Sequence, residues 1–92
     1  MKKTDAKNLT DKHQALTHSE QQTVVSHVQR EDGEWYLNTV MIRGVEVPFK
    51  YRRKKLYKSL QKQQVNITYY PATETVAGFD IEIMKIVRIK VC

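Results

Sequence analysis

The sequence predicts a mainly β protein, a small barrel of five antiparallel strands with one short helix between the third and fourth strands. The first observation is a series of strand-length runs rich in β-branched and aromatic residues, separated by turn residues. The second is a single segment, 50–62, where Leu56 and Leu60 are four residues apart, which is typical of a short helix with a narrow apolar side. The chain has 92 residues, of which 40% are hydrophobic, so it can bury one small core.

The individual elements follow from local patterns along the chain. Glycine, proline and acidic clusters mark the turns, among them 31–34, 43–44 and a loop over 71–78. Pro48 cannot donate a ladder hydrogen bond, so it predicts an edge or a bulge in the third strand. The runs between these turns predict strands at 23–30, 35–42, 45–51, 64–70 and 79–91. Residues 1–21 are polar and predict a disordered tail, which leaves 22–92 as one β-barrel domain.

The pairing register of the 35–51 hairpin has two alternatives. A two-residue turn at Arg43 and Gly44 pairs Ile42 with Val45. It puts Trp35, Leu37 and Met41 outside and Tyr36, Val40 and Ile42 inside. A three-residue loop pairs Met41 with Val45, buries Trp35 and exposes Tyr36 beside Lys50, because a slip of one residue reverses every side chain. We favour the second register, since it places more apolar surface in the core. Lys50 faces outward in both.

The order β-β-β-α-β-β resembles that of the OB-fold, a five-stranded Greek-key barrel, over about residues 22–91. The resemblance concerns the order of elements alone and rests on no family-specific motif. It implies a ligand surface over the second and third strands, flanked by the loops after strands one and four. An SH3-like or other small β-barrel with one helix is the alternative fold.

The positive charge of the chain is concentrated in its middle third. The net charge of the whole chain is +6, while residues 35–70 alone carry eight bases and one acid, a net of +7. Such a cluster indicates a polyanionic partner, with phosphates contacting the cationic side chains. These candidate phosphate-binding residues are Lys50, Arg52, Arg53, Lys54, Lys55, Lys58 and Lys62.

Tyrosines accompany the basic segment and could stack on bases. The alternating pattern of 65–69 directs Tyr69 inward, which leaves Tyr70 as the better candidate of that pair. The candidate stacking residues are Tyr36, Tyr51, Tyr57 and Tyr70. The acidic turn 31–34 opposes this interpretation, because its carboxylates would repel phosphate at the edge of the surface.

Several chemistries have no support in the sequence. The histidines and the single cysteine, Cys92, lack the spacing of a metal site, and no nucleophile motif or glycine-rich phosphate loop is present. We therefore expect no enzyme, no metal and no cofactor. No stretch approaches the ~20 apolar residues of a membrane span, and the N-terminal residues lack the apolar core of a signal peptide. A cytoplasmic location is the expectation.

These observations predict a non-catalytic domain that binds single-stranded nucleic acid, DNA or RNA, with low sequence specificity. The alternative is a protein-interaction or assembly module, either a homodimer or a partner of an acidic protein. The apolar residues on both faces of 83–87 favour that alternative, because a dimer would bury them.

Overall fold

A computed structural model describes residues 16–92 and shows a mainly β chain, as predicted. Residues 16–92 contain no helix. The five strands are rich in Val, Ile, Thr and Tyr, which fit the pleated surface of a sheet. Their bounds are β1 Thr17–Asp32, β2 Trp35–Ile42, β3 Phe49–Arg53, β4 Gln64–Val76 and β5 Phe79–Val91.

All five strands belong to one sheet that closes on itself. The strand order is β1-β2-β3-β5-β4, and β4 pairs with β1 to complete the circuit. Four of the pairings are antiparallel, but β3 and β5 are parallel. The prediction of a purely antiparallel sheet is therefore wrong. The chain reverses its direction from β3 to β4 and again from β4 to β5. β3 and β5 therefore run parallel, and the sheet is mixed.

The predicted helix between the third and fourth strands is absent from the described residues. The strap, residues 54–63, crosses from β3 to β4 without regular secondary structure, with a bend at 54–55 and a turn at 61–62. Its apolar pattern is too weak for a helix, because Leu56 and Tyr57 stay 62% and 50% exposed and only Leu60 packs on the core. Like charges four residues apart, at Lys54 and Lys58, also disfavour a helix that short.

The first strand begins earlier than the sequence predicts. β1 starts at Thr17, and its first residues pair with β4, for example Thr17 with Tyr69 and Ser19 with Ile67. Residues 17–21 therefore belong to the sheet and not to the predicted tail, because pairing satisfies their backbone groups despite their polar side chains. The rest of that tail, residues 1–15, lies outside the described residues.

The predicted loop 71–78 is instead the end of a long hairpin. β4 continues through Pro71 to Val76 and pairs with β5 up to Phe79. Pairing of β4 with β1 ends at Tyr69, so Pro71 faces no β1 neighbour that needs its missing N–H. We call residues 71–83 the arm, since this two-stranded segment extends past the closed part of the sheet.

The turn at the tip of the arm carries conformational strain at Ala77. Ala77 and Gly78 have φ angles of 51° and 83°, the left-handed conformation required at both central positions of a type I′ turn. A left-handed alanine costs about 1–2 kcal/mol. Ala77→Gly should therefore stabilise the arm by about 0.5–1 kcal/mol after the larger unfolded-state entropy of glycine is included.

Hydrogen exchange of the arm amides measures this effect. Gly78→Ala is the matched control, because its new Cβ would meet no atom within 4 Å and only the backbone conformation penalises it. We expect slower exchange for Ala77→Gly and faster exchange for Gly78→Ala. Faster exchange for Ala77→Gly as well would mean that Ala77 is not strained by the left-handed conformation.

The core fills the interior of the closed sheet. Phe49 is 2% exposed, and its ring is nearly perpendicular to that of Tyr69, with ring centroids 4.9 Å apart. Tyr69 thus packs against the core, in agreement with its predicted inward parity. The buried members of the cluster are Val24, Val40, Ile42, Phe49, Val65, Ile67 and Ile86.

The favoured register of the β2–β3 hairpin is wrong. Val40 and Ile42 are buried, so the face of β2 that contains them points inward, while Trp35 and Leu37 share the outward face. This orientation of β2 is that of the rejected two-residue alternative. The connection itself is neither predicted turn, because residues 43–48 separate the strands and β3 begins only at Phe49.

Candidate functional site

The outward faces of β1, β2 and β3 form one continuous surface. Side chains opposite each other in a register lie on the same face of a sheet. Arg30 is opposite Leu37, which is opposite Arg52, and the neighbouring row contains Thr39 and Lys50. The pairing thus places Arg30 and Arg52 on either side of Leu37, with Lys50 in the next row on the same face.

Trp35 lies at one end of this surface, between two cations. It is the first residue of β2 and is 36% exposed. The Arg52 Cζ atom is 5.1 Å from the ring centroid and the Lys54 Nζ atom is 5.2 Å from it. Cation–π attraction holds both charges near the ring. A flat ring that stacks on this indole would take the place of a cation over the ring, and the displaced cation would stay close enough to contact an anion.

A second cation–aromatic cluster lies on the other face of β3. The Arg53 Cζ atom is 5.6 Å from the Tyr51 ring centroid and 5.1 Å from the Tyr57 ring centroid. Tyr51 is only partly exposed, and burial raises the pKa of its hydroxyl, an effect that nearby Arg53 partly opposes. The hydroxyl therefore stays a neutral phenol at ordinary pH.

The strap is tied to the inner side of β1 by side-chain hydrogen bonds. Gln29 donates to the Tyr57 carbonyl oxygen at 2.6 Å and accepts from the Tyr57 N–H at 3.1 Å. His27 Nδ1 accepts from the Leu60 N–H at 2.9 Å. These bonds position Tyr57 beside Arg53, so the fold places the second cluster without a helix.

A groove of about 750 Å³ separates the outward surface from the arm. Lys50 spans it by donating to the Glu74 carboxylate at 2.6 Å. Asp32, from the end of β1, also lines the groove, as do Arg30 and Arg52. The groove therefore has mixed charge, and the acidic side chains predicted to oppose an anionic ligand lie partly inside it.

The predicted site residues are not all in one place. Lys50, Arg52, Tyr51 and Tyr70 line the groove. Arg53, Lys54, Lys55 and Tyr57 line a second cleft beside β3.

Three of the predicted residues lie elsewhere. Lys58 and Lys62 are exposed on the strap, and neither lines the groove. Tyr36 is partly buried on the inward face of β2, opposite Arg53, so it does not lie on the outward surface.

Trp35 is the residue that the sequence analysis missed. The orientation of Trp35 follows from the alternation of β2, because Val40 and Ile42 are buried and Trp35 has the opposite parity. In the neighbouring strand β1, Val25 is an extra residue between Val24 and Ser26, which is a β-bulge. The short turn at Gly33 and Glu34 pairs Asp32 with Trp35, so the two share a face. The bulge changes the parity of β1 after the buried Val24, so that Asp32 also faces outward.

Two further observations concern the described part of the chain. Within residues 16–92, no group of three His, Cys, Asp or Glu side chains is close enough to hold a metal ion. In the same range, no helix is long and apolar enough to cross a lipid bilayer.

No family model, no curated protein and no solved structure matches this chain.

Proposed function

We propose that the closed sheet is an OB-like barrel that binds single-stranded nucleic acid with little sequence preference. The single observation that carries the proposal is the exposed Trp35 ring between Arg52 and Lys54. A base would stack on the indole while the adjacent cations contact phosphates, which is how single strands are bound without base-specific hydrogen bonds. The stacking group differs from the tyrosines predicted from the sequence.

The strand order also supports the proposal. The circuit β1-β2-β3-β5-β4 agrees with the order expected for an OB-fold, although the strap replaces the helix. In that fold, ligands bind across the second and third strands between the β1–β2 and β4–β5 connections. The groove lies between the outward face of β2 and β3 and the arm, which is the β4–β5 connection here.

The charges in the groove and in the adjoining cleft beside β3 define how binding would proceed. Glu74 neutralises Lys50, so a phosphate that binds Lys50 displaces the carboxylate. Arg52, Lys54 and Lys55 are exposed and have no carboxylate within 4 Å among residues 16–92. These three cations are therefore the principal phosphate contacts, and Lys50 is a secondary one.

Fluorescence anisotropy tests the proposal with labelled dT12, a single-stranded RNA of equal length and duplex DNA. Four phosphate contacts on a single strand predict an affinity loss of about 50-fold between 50 and 200 mM salt, from a slope of about 0.7 per contact. Both single strands should bind more tightly than the duplex. If neither single strand binds at low salt, the proposal is wrong, and the assembly module becomes the function to test.

Trp35→Ala separates stacking from charge. Loss of one stacked base should weaken binding by about 5- to 150-fold, which corresponds to 1–3 kcal/mol. The loss should be equal at 50 and 200 mM salt, because stacking releases no counterions. Trp35→Phe is the matched control and should retain most of the affinity, since it keeps an aromatic face. If Trp35→Ala binds as tightly as the unaltered protein, no base stacks at this position.

A second candidate is the assembly module, and the arm is the observation that favours it. Phe79, Val76 and Ile81 are 73%, 45% and 41% exposed. Their register places them on one face of the arm, because Val76 is opposite Phe79 and Glu74 is opposite Ile81. A second copy or another protein would bury this apolar face.

A further inference from the structure

The parallel pairing of β3 with β5 is short and leaves an open seam in the sheet. Pairing within residues 16–92 covers only Phe49 with Met84 and Lys50 with Lys85. Beyond these positions the strands separate around a cleft of about 420 Å³. We call this cleft the seam and define its rims as residues 51–55 and 86–89.

Both rims direct backbone hydrogen-bonding groups toward the seam. The far side of β3 pairs with β2 through Arg53, and the far side of β5 pairs with β4 through Val91. Alternate residues of a paired strand turn their N–H and C=O groups to the opposite side. An extended peptide that enters the seam would satisfy such groups by joining the sheet as an additional strand.

The seam has two chemically different sides. Arg88 is exposed and shares the outward parity of Thr68, while Arg52 is exposed on the outward side of β3. Ile86 is buried and Ile89 packs against the core, so the inner side is apolar. The seam also includes Arg53, Lys54 and Lys55, and none of its lining residues among 16–92 is acidic.

Charge decides which extended chain fits. A second copy that presented the same edge of β5 would bring an equally cationic seam and would be repelled. Residues 1–15 of this chain carry four lysines and two aspartates, a net of +2, so they too have the wrong sign. Nucleic acid would satisfy the cations but cannot supply alternating N–H and C=O groups at strand spacing.

We propose that the seam binds an extended acidic peptide of a partner protein, which pairs with the free edge of β5. Acidic side chains on one side of the peptide face Arg52 and Arg88. Small apolar side chains on its other side face Ile86 and Ile89, which share the inner side because Val87 is an extra residue in a bulge of β5. This site shares Arg52, Lys54 and Lys55 with the surface proposed to bind nucleic acid. It differs in using the backbone edge of β5, and it does not depend on the function proposed for Trp35.

The probe is a fluorescein-labelled hexapeptide in which glutamate and valine alternate, with both ends blocked. The block-ordered peptide of the same composition is its control, because it has the same charge but lacks the two-sided pattern. Two further versions are N-methylated at the odd or the even residues, which removes donors on one edge at a time. We expect the alternating peptide to bind, the block-ordered peptide to bind more weakly, and at least one N-methylated version to lose binding.

Arg88→Glu and Lys90→Glu form a matched pair of protein variants. Both residues are exposed on β5 and share its outward parity, but only Arg88 lines the seam. Arg88→Glu should weaken peptide binding by about fivefold and Lys90→Glu by less than about twofold, since the effect of a surface charge is local. Equal losses for the two variants would show that peptide binding depends only on net charge, which would overturn the proposal.

Amide hydrogen exchange of the unaltered protein gives a readout that needs no substitution. The bound peptide should slow exchange within residues 51–53 and 86–89 and leave β1 unchanged. The proposal fails if the peptide does not bind, if neither N-methylation matters, or if these amides exchange as before. It also fails if dT12 slows the same amides and loses as much affinity with Arg88→Glu, which would assign the seam to nucleic acid.

Discussion

Replacing Arg52, Lys54 and Lys55 together by glutamine should reduce single-strand binding by roughly 100-fold at about 50 mM salt. Arg52 and Lys54 flank Trp35, and all three side chains are exposed. Loss of three phosphate contacts should also lower the slope of log affinity against log salt by about 2, because each contact on a single strand contributes about 0.7. Anisotropy titrations at several salt concentrations measure both quantities.

The control for this variant removes the same charge elsewhere. Arg43, Lys62 and Lys90 are exposed and lie near the Ile42 end of the sheet, whereas Trp35 begins β2 at the other end. Their replacement by glutamine should change affinity by only a few-fold and the salt slope by less than about 0.5. If the two triple variants lose equal affinity, binding follows net charge and the Trp35 surface has no special part in it.

His27→Ala should lower the free energy of unfolding by about 2–4 kcal/mol. The Asn38 Nδ2 atom donates to the Tyr36 carbonyl, so Asn38 Oδ1 accepts from the Nε2–H of His27 at 2.8 Å. The other ring nitrogen then has a lone pair and accepts from the Leu60 N–H. The substitution leaves the Oδ1 atom of Asn38, a residue only 3% exposed, without this partner and releases the strap from β1.

Thermal unfolding followed by circular dichroism measures this loss. The expected decrease in Tm is about 10–25 °C, from roughly 4–8 °C per kcal/mol for a domain of this size. His18→Ala is the control on the same strand and should change Tm by only a few degrees, because the contacts of His18 are exposed. Adding Asn38→Leu to His27→Ala should recover part of the loss, since both polar partners are then absent. An unchanged Tm for His27→Ala would mean that the strap is held by other contacts.

The sequence predicted the strands better than their pairing. Runs such as 35–42 and 64–70 identify strands because their residue types fit a pleated surface. The extension of β1 to Thr17 and of β4 to Val76 was missed, since polar residues enter a strand when a neighbouring strand supplies hydrogen bonds. Such pairing depends on residues about 50 positions away in the chain, for example Thr17 with Tyr69.

The candidate site was predicted in its charges but not in its central aromatic residue. The basic segment identified Arg52 and Lys54 from composition alone, whereas the assignment of Trp35 to the core followed from placing the most apolar face of β2 inside. The fold instead buries Asn38 on that strand, because His27 satisfies its side chain. The hydrogen bond between His27 and Asn38 and the bulge at Val25 both depend on the pairing of β1 with β2. Neither can therefore be recognised from the sequence of one strand alone.

Trp35 is the only tryptophan in the chain, so its fluorescence reports directly on the surface proposed to bind nucleic acid. The most direct measurement is a titration of the unaltered protein with unlabelled dT12 at about 50 mM salt while the tryptophan emission is recorded. We expect saturable quenching, because a base stacks on the exposed indole, and recovery of the emission when salt is added. Unchanged emission at concentrations where anisotropy shows binding would contradict the account, since the strand would then bind without touching Trp35.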